Sequence, residues 1–246
     1  MTHTFITGVT AGLGAALTRQ LCAPSHQVSG VGRRADRLQA LAATHPEFLG
    51  LTADVADSAA MGDAVTRAEA AHGPIDVAIL NAGLYQPVDG KRVDSDVFRR
   101  HMEVNYMGVV HALDAIIPAM VARRHGHIVI VASVAGWSGL PKSAAYGPTK
   151  AALISLAESL WFDLTPTGIK IQVVCPGFIE TEATAQNDFD MPGLMTADDA
   201  ASAMIAGMAS SAFEVAFPKS FTRTMRLLKF LPYSLYFALM RRRTGF

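Results

Sequence analysis

The sequence predicts an α/β domain: a doubly wound parallel sheet of about seven strands with helices on both faces, followed by a helical C-terminal tail. Three observations carry this reading. Short Val/Ile/Leu-rich runs alternate with longer Ala-rich stretches of helical period through the first 217 residues. Each connection is long enough for a crossover helix, which parallel pairing requires. A glycine-rich turn joins the first run directly to the first helical stretch.

In chain order, strands are expected at 4–7, 27–31, 47–51, 76–80, 127–132, 169–174 and 213–217. Helices are expected near 12–23, 34–43, 58–72, 96–123, 146–164 and 197–210. Asp57 or Ser58 suits the start of the third helix, and Thr196 with Asp198 and Asp199 suits the start of the sixth, because carboxylates favour the positive end of a helix dipole. No repeat, low-complexity tract or linker interrupts the series, so residues 1–218 read as one domain and 219–246 as the tail.

The 246 residues are 50% apolar, enough to bury a large core, and disorder is excluded. Two cysteines, Cys22 and Cys175, exclude a disulfide framework and a four-thiolate zinc site. The eight histidines lack ligand spacing, so no metal is expected; His125-Gly126-His127 reads as a solvated turn ahead of a strand. The amino terminus has neither a basic flank nor a long apolar core, and no run reaches the roughly 18 to 20 uninterrupted apolar residues that span a bilayer. A cytoplasmic location is the expectation. Lys and Arg number 21 against 21 Asp and Glu, yet 219–246 holds seven basic residues and no acidic one. The body therefore carries minus seven and the tail plus seven, without the basic excess of a nucleic-acid binder on the main domain.

After the first strand comes Thr7-Gly8-Val9-Thr10-Ala11-Gly12-Leu13-Gly14 and then a helix. Glycines at such a junction let the backbone turn tightly, let a diphosphate approach, and let the helix start present its N–H groups to phosphate oxygens. At the end of the second strand an NAD-binding chain would place a carboxylate for the ribose 2′-hydroxyl. Here the sequence reads Val31-Gly32-Arg33-Arg34, and a guanidinium suits a 2′-phosphate. NADP(H) is the expected cofactor, with NAD(H) as the alternative. Ser133 ends the fifth strand, and Tyr146-Gly147-Pro148-Thr149-Lys150 opens a long helix on which Tyr146 and Lys150 share a face. An ammonium beside a phenol is expected to lower its pKa and let it exchange a proton near neutrality.

Together with Asp54-Val55, Asn81-Ala82-Gly83, Asn105 and Pro176-Gly177 with Thr181, these motifs stand in the order and spacing of the short-chain dehydrogenase/reductase family, which the chain resembles across roughly residues 3 to 217. The resemblance implies a Rossmann-type domain and a homodimer or homotetramer. It further implies that Tyr146 is the general acid in carbonyl reduction and the base in alcohol oxidation. Lys150 would hold the nicotinamide ribose and tune Tyr146, Ser133 would donate to the substrate oxygen, and Asn105 would bind a water in a proton relay. The cofactor set it implies is Gly8, Thr10, Gly12, Leu13 and Gly14 at the diphosphate and Arg33 and Arg34 at the 2′-phosphate. Asp54, Val55, Asn81, Ala82 and Gly83 would lie by the adenine, and Pro176, Gly177, Ile179 and Thr181 by the nicotinamide. A nucleotide-sensing module that kept the fold without turnover is the alternative function.

Substrate is expected between 134–145, with Trp137, Leu140 and Pro141, and 178–195, with Phe178, Ile179, Phe189, Met191, Leu194 and Met195. Apart from an outlying Lys142 these supply no fixed cation, which suggests an uncharged, partly apolar carbonyl or alcohol. In the tail, Phe221, Met225, Leu228 and Leu231 recur at helical intervals, and Pro232 divides the segment into two helices. Such a basic amphipathic stretch suits either packing on the acidic body or peripheral contact with a membrane, and packing is the favoured expectation.

Overall fold

A computed structural model describes residues 1–245. The chain runs β1 (Thr2–Thr7), α1 (Gly12–Leu21), β2 (His26–Gly32), α2 (Ala35–Thr44), β3 (Phe48–Thr52), α3 (Ser58–His72) and β4 (Val77–Leu80). It continues through α4 (Ser95–Met102), α5 (Gly108–Arg123), β5 (Gly126–Val131), α6 (Tyr146–Leu164), β6 (Ile169–Pro176), α7 (Ala197–Met208) and β7 (Glu214–Phe217). Two tail helices follow, α8 (Lys219–Lys229) and α9 (Tyr233–Thr244). The strands form one parallel sheet of order β3-β2-β1-β4-β5-β6-β7. The expected Rossmann-type, doubly wound topology is what the chain adopts.

Alternation along each strand builds the two faces of the core. Phe5, Ala78, Leu80, Ile128 and Ile130 point to one side, where they pack against α3, α5 and α6. Ile6, Ile79, Val129 and Val174 point to the other, against α1, α2 and α7. Phe5 is fully buried, so truncating it to Ala would cost about 3 to 5 kcal/mol. The helical stretch 95–123 is long and apolar enough by composition to cross a bilayer, but its Val109, Ala112, Leu113, Ile116 and Met120 lie buried in this core, as in any sheet-covering helix.

Three expectations change. The helix expected over 96–123 is interrupted by a π-helical turn at Glu103–Met107, whose buried Asn105 reaches across to Leu84 and Thr149. His127 is not in a solvated turn: it pairs within β5, and its Nε2 lies 2.8 Å from Gln172 Oε1 on β6. Trp137 leaves the substrate region for the core, with the Arg226 guanidinium 5.1 Å from its ring centroid. The apolar indole gains more from burial than from a place on a wet cavity wall.

Asp57 caps α3 and Thr196 caps α7 through their side chains. Pro232 stands immediately before α9 and divides the tail as expected. The tail packs on the body through Thr222, Met225 and Tyr236; the Tyr236 hydroxyl donates to Gly139 O at 2.8 Å, and Arg226 pairs with Glu214 at 2.5 Å.

Candidate functional site

At the carboxyl edge of β1 and β4 the strand order reverses, and such switch points open a crevice between diverging connections. The Thr7 side chain holds the crevice together, accepting the N–H groups of Asn81 and Ala82 at 3.0 Å each. Two glycines in the β1–α1 turn are sterically required. Gly12 has φ +51°, and a Cβ there would stand 2.8 Å from Thr181 Cγ2. A Cβ on Gly14 would stand 2.1 Å from the Gly8 carbonyl oxygen. Unlike α3 and α7, α1 has no side-chain cap, and unlike α7 it has no acidic residue in its first turn. Its leading N–H groups therefore stay available for an anion, which is the donor set a diphosphate needs.

A cavity of about 1570 Å³ runs from this turn to the tail. That volume exceeds the roughly 300 to 1,000 Å³ of a single-ligand pocket, so it has room for a dinucleotide and a substrate. Of the residues expected at the site, Gly8, Thr10, Gly12, Leu13, Arg33, Arg34, Asp54, Val55, Asn81, Ala82 and Gly83 line it, as do Ser133, Tyr146, Lys150, Pro176, Gly177, Ile179 and Thr181. Gly14 and Asn105 stand behind the wall.

At the dinucleotide end, the largely exposed Arg33 lies 3.8 Å from the Asp54 carboxylate, and Arg100 approaches the same oxygen at 3.2 Å. Burial alone would raise Asp54, but the Ala56 N–H and these guanidiniums outweigh it and hold the carboxyl below its usual range. Arg34 binds Thr10 and, with Arg37, Glu182 at 2.8 and 2.6 Å, which ties the segment after β6 to the start of α2.

At the middle of the cavity, Lys150 is buried and donates from Nζ to Val131 O at 2.8 Å. Its Nζ lies 5.5 Å from the centroid of the Tyr146 ring. The Ser133 hydroxyl hydrogen-bonds with Tyr146 and also accepts the Ala135 N–H at 3.1 Å. The expected lowering of the phenol does not occur. Burial pushes Tyr146 up to about 12 against the opposing Ser133 bond, and burial brings Lys150 down to about 8. Desolvation disfavours both charged forms and outweighs any pairing between them.

Asn105 makes three hydrogen bonds: Oδ1 accepts Leu84 N–H at 2.6 Å, and Nδ2 donates to Leu84 O and Thr149 Oγ1 at 2.9 and 3.0 Å. It therefore shapes the cavity wall through Leu84, and Oδ1 keeps a second lone pair with which it could accept the expected water.

The substrate end is walled by Leu140, Pro141, Phe178 and Phe189, and the rings of Phe178 and Phe189 are 6.0 Å apart. Met191, Leu194 and Met195 lie off this wall, Leu194 facing solvent and Met195 packing against the core. Lys142 lines the cavity with its ammonium 2.5 Å from Asp188. Sequence reasoning missed two contributors. Tyr85 packs edge to face on Tyr146 at 5.1 Å, held by its hydroxyl donating to Asn187. From the tail, Met225, Leu228, Met240, Arg243 and Thr244 complete the wall. The helical period of the tail was legible, but no local signal says which surface it covers.

Residues 2–191 match the profile of the short chain dehydrogenase family. The chain is 36% identical over 242 residues to an uncharacterized oxidoreductase of Myxococcus xanthus, covering 96% of this chain and 95% of that protein. It is 31% identical over 196 residues to the 3-oxoacyl-[acyl-carrier-protein] reductase of Escherichia coli, covering 77% and 79% of the two chains. A solved closed form of a serine dehydrogenase complexed with NADP+ superposes with a TM-score of 0.80 at 25% identity, covering 89% of this chain and 96% of that one.

Proposed function

The chain belongs to the short-chain dehydrogenase/reductase family, and from that premise we propose that it reduces a carbonyl compound with NADPH, using Tyr146 as the proton donor. Family membership makes it an NAD(P)-dependent oxidoreductase. What carries the finer reading is one observation: the Tyr146 ring, the buried Lys150 amine and the Ser133 hydroxyl line a single cavity at the carboxyl edge of the sheet.

The nicotinamide cofactor, when bound, supplies the hydride. Gly8, Thr10, Gly12 and Leu13 with the open end of α1 would hold the diphosphate, and Gly14 keeps that turn closed. Arg33 and Arg34 would take the 2′-phosphate, and this supports NADP(H) over NAD(H). Asp54, Val55, Asn81, Ala82 and Gly83 would border the adenine; Pro176, Gly177, Ile179 and Thr181 would border the nicotinamide. Ser133 and Tyr146 would both donate to the substrate oxygen, where negative charge grows during reduction. A phenol raised to about 12 keeps its proton at neutral pH, as a donor must. The forming alkoxide is the stronger base, so the transfer runs downhill. Lys150, lowered to about 8, remains mostly protonated at neutral pH and can restore the phenol. Asn105 acts as a positioning residue through Leu84 and Thr149. The apolar wall around Phe178 and Phe189 favours an uncharged or amphipathic ketone, aldehyde or alcohol. Trp161 and Phe162, exposed on α6, offer an apolar contact for a homodimer or homotetramer, which light scattering would measure.

The test is a panel of carbonyl compounds with NADPH and NADH, run for wild type beside Tyr146→Phe. Tyr146-dependent turnover supports the reading. Cofactor binding with no such turnover across the panel would replace it with the nucleotide-sensing alternative.

A further inference from the structure

The two tail helices bury only Thr222, Met225 and Tyr236, and they leave an apolar, aromatic and positively charged surface exposed. Phe230 and Tyr233, on either side of the turn between α8 and α9, are each 79% exposed. Leu227, Leu235 and Phe237 are exposed on the same two helices, and the Tyr233 and Phe237 rings stack with centroids 5.7 Å apart. A soluble surface rarely gathers this many large apolar side chains in one place without a use for them. The tail is also densely cationic. Among the described residues, Lys219, Arg223, Lys229, Arg241, Arg242 and Arg243 make no ion pair; Arg226 alone in the tail does, with Glu214.

We propose that this face of the α8–α9 hairpin docks on an anionic lipid surface, with Phe230, Tyr233 and Phe237 entering the headgroup layer and Lys229, Arg241 and Arg242 facing lipid phosphates. The Tyr233 ring with its polar tip suits the boundary of acyl chain and headgroup, the Phe230 and Phe237 rings can bury apolar area just beneath it, and unpaired cations are drawn to the negative potential there. The body carries minus seven, so the same potential repels it and turns the tail toward the membrane. Met225, Thr222 and Tyr236 already anchor the hairpin to the body, so the docking face exists before contact and little ordering is needed. A second copy of the chain fits less well, because a two-fold contact through this surface would set its unpaired cations against the same cations of the copy, whereas a headgroup layer accepts aromatic and cationic groups side by side. The inference does not depend on the catalytic reading.

The experiment is co-sedimentation of the full chain with vesicles of equal parts phosphatidylglycerol and phosphatidylcholine, and with phosphatidylcholine alone. Wild type is expected to pellet with the anionic vesicles at low ionic strength, to be released by salt, and to stay in the supernatant with phosphatidylcholine. Phe230→Ser combined with Tyr233→Ser, and separately Lys229→Gln with Arg241→Gln and Arg242→Gln, should each weaken binding at least tenfold. Circular dichroism and thermal melting should match wild type for both, since all five side chains are exposed. The proposal is overturned if wild type does not pellet with anionic vesicles, if it binds phosphatidylcholine equally, or if either variant binds like wild type. Loss of oligomeric mass in the aromatic variant, with no vesicle binding by wild type, would instead identify the face as a contact between copies.

Discussion

Tyr146 and Lys150 sit in opposition to the simplest expectation for a phenol near an amine. Burial raises the one to about 12 and lowers the other to about 8, so at neutral pH the phenol is protonated and the amine mostly so. Tyr146→Phe removes the donor while keeping the ring, and reductive turnover should fall by roughly 10² to 10⁴ with NADPH affinity unchanged, as cofactor fluorescence would report. The sign of the pH dependence follows from Lys150: its proton is lost as pH rises through about 8, so kcat/KM for reduction should decline above that pH. A profile that rises there would contradict the donor role. Arg33→Ala should cost NADPH, relative to NADH, about one to two orders of magnitude in kcat/KM, since a charge-assisted hydrogen bond contributes roughly 1.5 to 3 kcal/mol. Equal losses with both cofactors would place Arg33 outside the 2′-phosphate site.

Among the elements, the π-helical turn between α4 and α5 does the most to shape the cavity, because it delivers Asn105 to both the N–H and the C=O of Leu84. Asn105→Ala would leave those backbone groups without side-chain partners and should destabilise the fold by about 2 kcal/mol. For a chain of this size that corresponds to a fall in Tm of about 4 to 8 °C, which calorimetry would detect. An unchanged Tm would mean that water replaces the amide there. The start of α1 shows the reverse: it lacks the side-chain cap that α3 and α7 possess, which leaves its N–H groups open at the cavity.

For the whole molecule, the two edges of the sheet divide the work. The carboxyl edge carries the cavity, and the amino edge carries half-buried or buried histidines locked into structure. His127 meets Gln172, and His3 bonds to the Gly73 carbonyl and Ser29. Burial lowers His127 from 6.5 to about 4 and lowers His3 as well. Between pH 6.5 and about 4 the unfolded chain therefore takes up protons that the folded chain refuses, and stability falls as pH drops through that window. His127→Gln should flatten this acid-side decline in Tm relative to wild type; parallel curves would show that other groups dominate.

The chain's sequence alone determined the order of strands and helices, the glycine turn, and most of the expected site residues that the fold brings to one cavity, because period, turn chemistry and one-turn spacing are local properties. It also announced the tail through its charge and helical repeat. Tertiary structure decided what no local pattern encodes: that Tyr85 braces Tyr146, that Asn105 spends its amide on Leu84, that Trp137 retires into the core, and that α8 and α9 close the far wall of the cavity. It also set the sign of the shifts at Tyr146 and Lys150, since desolvation depends on how many distant segments converge on a group.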